Sequence, residues 1–304
     1  MRAAGYELRT LQVQPLYRGQ PLRTARAAAV DTTALRHARK LLGELRPAAV
    51  LGAGGYVAGP VGLAAVFRRM PLVLTEADSH LGVTNRLLAP LARRVCLAFP
   101  IEGRDGGRYR VTGRPVPPPA TDREAARERF GIPASETCVL VFGGSQGARS
   151  INRAAVEAFA GARFHVLHAA GERDLPDLQA PGPHYDLRGY ISGFGEALLA
   201  SDLVVARSGG SIFEIAAHGR PAVLIPYPYA TADHQTANAR FMERAGAAIV
   251  IPDRELTPAR LALEVGGLLA DPGRLTQMAR ASAALAKPNA AQDIAGELKA
   301  AARR

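Results

Sequence analysis

The feature that most constrains this chain is VLVFGGSQGARSIN, residues 139 to 152, where an apolar run stops at a glycine turn and a helical segment starts near Ser150. Glycines let the backbone come close to a bound group. The free N–H groups of the following helix's first turn point at that group with the positive end of the helix dipole. A strand, glycine turn and helix in this order suits an α/β fold with parallel sheets, and a diphosphate is the ligand expected of it. The turn is not the Walker pattern, since no Gly-Lys-Ser/Thr follows, and it is not G-x-G-x-x-G. Taken alone, it also reads as a tight turn with no ligand.

Short apolar runs alternate with alanine- and leucine-rich segments along the whole chain, as in βα units feeding parallel sheets. Strands are expected at 8–13, 48–51, 72–75, 94–98, 137–142, 164–168, 202–206, 221–225 and 247–251. Four prolines in GRPVPPPAT, residues 113 to 121, cannot continue a helix or a central strand, so an interdomain linker is expected there. The alanine-rich end, broken at Pro288, reads as a tail helix able to pack back on the first domain. That domain opens without the usual strand, glycine turn and helix, and one or two N-terminal βα units are expected to be absent.

Further loops repeat the pattern. In DLVVARSGGSIFEIAAHGRP, residues 202 to 221, a strand runs into Arg207-Ser208-Gly209-Gly210-Ser211, and Glu214 falls on the next helix's first turn. Glu214 is then either a capping-box carboxylate or an acceptor for two ribose hydroxyls. Asp233, His234, Gln235 and Asn238 open another helix, where Asp233 reads as an N-cap and Gln235 offers the donor and acceptor that hexose hydroxyls need. In the first half, LGAGGYVAGP (51 to 60) and TEADSH (75 to 80) also follow strands. Such loops at carboxyl ends of strands in two domains point to a ligand in an interdomain crevice.

Composition narrows the class. The 304 residues suffice for two cores. Cys96 and Cys138 are too few for a disulfide framework and read as inert core residues in a reducing compartment. No run is long and apolar enough to span a bilayer and no signal peptide is visible, so a protein neither secreted nor integral is expected. The charge of +11 suits an anionic membrane surface or a pyrophosphate, although only Lys40, Lys287 and Lys299 among 38 basic residues are lysines, as a GC-rich genome would also produce. Nucleic acid is disfavoured, since there is no aromatic ribonucleoprotein cluster, zinc spacing or basic helix.

Together GGYVAGP, TNRLLA, VFGGSQGARSIN, ARSGG…EIAAHGRP and DHQTANAR…AGAA resemble the MurG family of GT-B glycosyltransferases over nearly the whole chain. The resemblance implies two Rossmann-like α/β domains facing a cleft. Residues 1–115 would form an incomplete acceptor and membrane-side domain, 116–287 the UDP-sugar domain, and 288–304 the tail helix. It implies inverting transfer of N-acetylglucosamine from UDP-N-acetylglucosamine to undecaprenyl-diphosphate-linked N-acetylmuramoyl-pentapeptide in peptidoglycan synthesis, by a peripheral protein on the cytoplasmic face of the cell membrane. No cofactor is implied, and with no Asp-x-Asp motif a required metal is not indicated.

The implied donor site comprises Gly143, Gly144, Ser145, Gln146, Gly147, Ile191, Arg207, Ser208, Gly209, Gly210, Ser211, Glu214 and Gln235. Within it Ser145 would contact the diphosphate or sugar, the Ile191 backbone the uracil, Ser211 and Glu214 the phosphate and ribose, and Gln235 the sugar hydroxyls. The acceptor side would use Gly54, Gly55, Tyr56, Asp78 and Asn85. Asp78 stands at the asparagine of the family's His-Glu-Gln-Asn motif; Asp78 and Glu76 are the candidate general bases, or helix-cap groups instead. The family's Gly-Asn-Pro-Val-Arg becomes Gly113-Arg114-Pro115-Val116-Pro117, the Gly209–Glu214 stretch is one residue short, and the first glycine loop with its histidine is missing. Rival readings are a UDP-sugar transferase with another lipid or natural-product acceptor, a UDP-sugar epimerase, or a non-catalytic nucleotide-sugar-binding protein.

Overall fold

The computed structural model describes residues 5–13, 21–144, 147–230 and 233–303, with residues 21–31 described by their backbone. The chain divides into two compact units, one of residues 1–114 with 289–304 and the other of 115–288.

In the first unit α1 (Pro21–Leu45), β1 (Val50–Gly52), α2 (Gly55–Phe67), β2 (Leu72–Glu76), α3 (Val83–Leu88), β3 (Arg94–Leu97) and β4 (Tyr109–Val111) follow one another. The strands form a parallel sheet in the order β1-β2-β3-β4. Successive strand residues face opposite sides of a sheet, and here both sides are covered. Leu72, Leu74, Val95 and Leu97 pack with Leu42, Ala64, Ala65 and Leu88 on one side. Val73 and Cys96 pack on the other with Ile294 and Ala301 of the C-terminal helix, Ala290–Ala302. That helix is therefore part of the first unit's core.

Its attachment has a polar anchor as well. Arg94 donates to Glu297 at 2.7 Å and Arg110 at 2.5 Å, and the Glu297 side chain is 10% exposed. Burial alone would raise this carboxyl, but the hydrogen bonds from Arg110 and Arg94 outweigh it and hold Glu297 below its usual range. Burial also pushes the Cys96 thiol up to about 11 and the Cys138 thiol up to about 12, so both stay protonated.

The second unit runs α4 (Arg123–Arg129), β5 (Cys138–Phe142), α5 (Arg149–Ala158), β6 (His165–Ala169), β7 (Tyr185–Arg188), α6 (Phe194–Ala200), β8 (Leu203–Ala206), α7 (Ile212–Ala217), β9 (Ala222–Leu224), α8 (His234–Arg244), β10 (Ala248–Val250), α9 (Pro258–Leu269) and α10 (Pro272–Ala284). The C-terminal helix of the first unit is α11. Two helix starts carry clear caps, Thr257 and Asp271 each accepting from the N–H three residues on with Pro258 and Pro272 at the first helical position, whereas Asp233, expected as an N-cap, makes no capping bond to α8 and accepts from the Thr236 hydroxyl instead. The parallel sheet has the order β10-β9-β8-β5-β6-β7. Strands β5 and β8 are buried throughout, as expected of central strands covered on both faces.

Three segments differ from the sequence expectation. Residues 8–13 form no strand and are mostly exposed, with Leu11 alone resting on the first core. Strands β4 and β7, Tyr-Arg-Val and Tyr-Asp-Leu-Arg, were not expected, because edge strands half open to solvent tolerate polar residues and lose the apolar signature. Removing the Glu297 carboxylate leaves Arg94 only the Gly107 carbonyl and Arg110 only a 3.9 Å contact with Asp293 beside the α11 contact. Glu297→Ala is expected to lower unfolding free energy by about 2 kcal/mol, measured by urea denaturation, with the loss greatest at low salt.

Candidate active site

The strand order of the second unit reverses at β5, which lies between β6 and β8. Chains leaving β5 and β8 turn to opposite sides there, opening a crevice at the strands' carboxyl ends. The two strongest glycine loops of the sequence are the ones that follow β5 and β8. Gly147 has a φ of +73°, and a Cβ there would run into the Ala170 carbonyl oxygen, so only glycine lets the turn close against the end of β6. Ser145 and Gln146 lie outside the described residues.

Two cavities flank this turn. The smaller, about 280 Å³, is bordered by Phe142, Gly144, Ile191, Phe194, Ser211 and Glu214, with Ala169, Gly189 and Tyr190 completing its wall. Its floor is aromatic, Phe142 and Phe194 packing edge to face at 4.9 Å. The Ser211 hydroxyl makes no capping bond to α7. His218 steadies this helix: its Nδ1–H donates to the Glu214 carbonyl at 2.8 Å, while its Nε2 accepts the Ala120 N–H at 3.2 Å.

The larger cavity, about 610 Å³, carries cations and hydroxyl-binding groups: Arg149, Arg173, Arg207, Tyr227, Tyr229 and Gln235, around Gly143, Gly147, Ala148, Ser150, Pro228 and Asp253. Gln235 is oriented by the Tyr227 N–H, which donates to its Oε1 at 3.0 Å. Arg207 lines the cavity, but its guanidinium is committed to the protein, donating to the Ile225 and Pro226 carbonyls, to Asp253 at 2.6 Å and to Ser150 Oγ at 2.8 Å. It therefore ties α5 to the loop after β9.

Arg149 and Arg173 are held from behind by one buried carboxylate. Asp174 lies 2.8 Å from Arg173 and 3.5 Å from Arg149, with its side chain 4% exposed. The hydrogen bond from Arg173 keeps its carboxyl below the usual range against the opposing effect of burial. Behind Asp174 runs a chain of polar core groups. Asn152 Nδ2 donates to Asp174 at 3.1 Å and to the Ala170 carbonyl at 2.8 Å, and its Oδ1 accepts from His168 Nε2 at 3.1 Å. His168 Nδ1 in turn accepts from the Tyr185 hydroxyl at 2.8 Å. Every link is used, as burial requires.

Several expected site residues sit differently. Ser208 is fully buried, donating from Oγ to the Gln235 carbonyl at 2.7 Å and accepting the Asn238 amide at 3.0 Å on its own carbonyl. It joins β8 to α8 and offers no side chain to a ligand, and Asn238 lies behind the site with it. Gly209 and Gly210 form the bend before Ser211. The sequence reading did not single out Arg149, Arg173, Phe194, Tyr227, Tyr229 or Asp253. Arg149 lay inside the quoted motif, and Arg173 follows β6, whose place beside β5 only the sheet order reveals.

In the first unit the expected acceptor-side residues gather at the carboxyl ends of β1 and β2. Gly54 precedes α2 and Gly55 opens it, with φ of +80° and +74°, and Tyr56 is exposed. Glu76 is not placed as a base. It is buried, with Oε1 accepting from the Asp78 N–H at 3.2 Å and Oε2 from the Gly82 N–H at 2.8 Å and Asn85 Nδ2 at 2.9 Å. It clasps the loop that carries Asp78, and Asn85, also buried, reinforces the clasp through the Thr75 carbonyl at 2.9 Å.

Residues 138–294 match the glycosyltransferase family 28 C-terminal domain, and residues 1–97 match the N-terminal domain of that family. A relative in Moorella thermoacetica, named UDP-N-acetylglucosamine--N-acetylmuramyl-(pentapeptide) pyrophosphoryl-undecaprenol N-acetylglucosamine transferase, is 40% identical over 96% of this chain and 84% of its own length. This chain belongs to the MurG family. A relative of the same name in Alkalilimnicola ehrlichii is 42% identical over 96% of this chain and 84% of its own. The crystal structure of Acinetobacter baumannii MurG superposes with a TM-score of 0.75 at 30% identity, covering 90% of this chain and 79% of that one. The chain is thus a two-domain GT-B glycosyltransferase of the MurG family.

Two tests follow. Burial holds the His168 imidazole at about 4, against 6.5 in the unfolded chain. Between those values the unfolded state binds the extra proton, so stability falls as pH falls, by about 1.4 kcal/mol per pH unit and roughly 3 kcal/mol across the window. Urea midpoints recorded from pH 7.5 down to pH 4.5 should show this slope, and His168→Gln should flatten it. Asp174→Ala should release both arginines and weaken UDP binding by about tenfold in calorimetry, with far-UV circular dichroism unchanged.

Proposed function

We propose that this protein transfers N-acetylglucosamine from UDP-N-acetylglucosamine to a polyprenyl-diphosphate-linked N-acetylmuramoyl-pentapeptide, the reaction that the names of its relatives describe. The observation that carries the reading is the pair of cavities on either side of the Gly143–Ala148 turn, one with a carboxylate over an aromatic floor and one with cations and an amide. In this reading uracil enters the smaller cavity against Phe142 and Phe194 and pairs with the Ile191 backbone, while Glu214 accepts from the ribose hydroxyls. The diphosphate lies at the turn between the cavities. The sugar occupies the larger one, its hydroxyls meeting Gln235.

The acceptor hydroxyl attacks the anomeric carbon from the face opposite UDP, the bond to the diphosphate oxygen breaks, and configuration inverts. Negative charge grows on the departing diphosphate. Preorganised N–H groups at the starts of α5 and α7, with Arg149 and Arg173, oppose it, an effect worth about 3 to 4 kcal/mol for one well-placed donor. The hydroxyl proton needs a base within about 3 Å. Glu76 is occupied by its clasp, which leaves Asp78 as the carboxylate for that role.

The lipid-linked acceptor places the reaction at a membrane surface. Among the described residues no helix is long and apolar enough to cross a membrane. The first unit instead exposes Tyr56, Val57, Leu63, Phe67 and Leu87, with Arg68 and Arg69 beside Phe67. Apolar side chains beside cations suit peripheral docking to anionic lipid on the cytoplasmic side, where basic groups gain about 1 kcal/mol each.

Calorimetry with UDP tests the donor site directly. The intact protein should bind UDP, and Glu214→Ala should weaken binding by about 10- to 100-fold, the value of hydrogen bonds to a charged acceptor. A protein with no affinity for UDP, or a Glu214→Ala variant with unchanged affinity, would overturn the reading. Radiolabelled sugar appearing on a detergent-solubilised muramoyl-peptide lipid tests the acceptor.

A further inference from the structure

A second cluster of ligand-bearing side chains sits at the opposite end of the same sheet, where β5, β6 and β7 begin. Sheet register brings it together. The His165 N–H donates to the Thr137 carbonyl and the Val166 N–H to the His184 carbonyl, each at 2.8 Å, so the residues just before β5 and β7 flank the first residue of β6. Glu136 stands two residues ahead of Cys138, the register partner of His165. One ligand atom from each of Glu136, His165 and His184 lies within 4.8 Å of the other two.

We propose that Glu136, His165 and His184 form a binding site for a divalent transition-metal ion of the zinc class, which staples the starts of three strands. The geometry suits such an ion. Nitrogen and oxygen ligands about 2.0 to 2.1 Å from a tetrahedral zinc are about 3.3 Å from one another. His184 Nδ1 and Glu136 Oε2 are 3.5 Å apart, close to that edge.

The unmade hydrogen bonds point the same way. His165 is 8% exposed, yet its Nε2 has no hydrogen-bond partner, and neither has the buried Glu136 Oε2. Two unsatisfied buried acceptors on neighbouring strands are uncommon in native proteins, where such groups find partners. One cation coordinated by both satisfies them together. A metal requires the neutral imidazole, and burial, the leading influence on His165, lowers its proton affinity and favours that form.

The surrounding charges leave room for the ion. Arg127 donates to the backbone carbonyls of Glu136, Pro133 and Ala200, and its charge faces Asp202 at 3.5 Å. Asp186, on the next strand, is paired with Arg188 at 2.6 Å. The Glu136 carboxylate is thus the acidic partner at the cluster. The His184 side chain is 52% exposed, so solvent reaches the open side of the site and can supply the fourth ligand. Strand β5 is five residues long, which puts this site about 17 Å from the glycine turn, so its effect is on the fold of the unit.

The test uses untagged, chelator-treated full-length protein with Co(II) alone and Zn(II) alone as probes. Co(II) should bind one equivalent with the visible absorption of a tetrahedral site and be displaced by Zn(II). Zn(II) at about fifty times its dissociation constant should raise the unfolding midpoint by about 5 °C. His184→Ala, at the exposed side, and the near-isosteric Glu136→Gln should each abolish the shift and the cobalt spectrum while keeping UDP affinity, which separates this site from the donor site. His165→Ala should do the same if it folds. No cobalt spectrum and no Zn(II) binding at about 100 µM, a range where a specific site would saturate, or full binding retained in both His184→Ala and Glu136→Gln, would overturn the proposal.

Discussion

Everything proposed for the donor site depends on β5 having parallel neighbours reached from opposite directions, β6 on one side and β8 on the other. A sheet whose strands were added in simple succession would direct consecutive connections to the same side and leave no gap at the strand ends. The reversal creates the gap, and the steric demand at Gly147 keeps it narrow enough for backbone N–H groups to meet a ligand. The cavities on the two sides of the turn are consequences of that single topological fact.

Around that gap, buried polar side chains do the positioning. Asp174 holds two exposed arginines by sitting behind them, and Asn152, His168 and Tyr185 extend the same support into the core. Glu76 plays the matching part in the first unit, its two oxygens collecting three donors so that residues 77 to 82 keep one shape. In both places a buried carboxylate serves as scaffold, and Glu76, which looks like chemistry in the sequence, is one of them.

How far the sequence reveals this depends on the range of the interaction. The glycine turn after β5 is legible because its requirement is local: an apolar run, a close approach, a helix start. The buried central strands are legible for the same reason. The edge strands β4 and β7 are not, since half their surface is wet and their composition resembles a loop. Residues 8–13 carry a strand-like pattern but pair with no strand among the described residues, and pattern alone cannot supply one. Arg173 and Tyr227 reach the larger cavity, and Ser208 turns away from it, through contacts across the sheet or to a helix 27 residues further on. Such convergence is set by strand order, which no short window of sequence contains.

The return of α11 to the first unit has a consequence for how the molecule is made. Val73 and Cys96 are covered by Ile294 and Ala301, residues that leave the ribosome roughly 200 positions after the strands they protect. At about 5 to 20 residues per second, the nascent first sheet waits on the order of ten to forty seconds with one apolar face unshielded. The second unit, contiguous in sequence, needs no such delay and can complete itself in the interval. The first sheet is thus closed only after the second unit has been made, and the emergence of α11 decides when its open face stops being a target for aggregation.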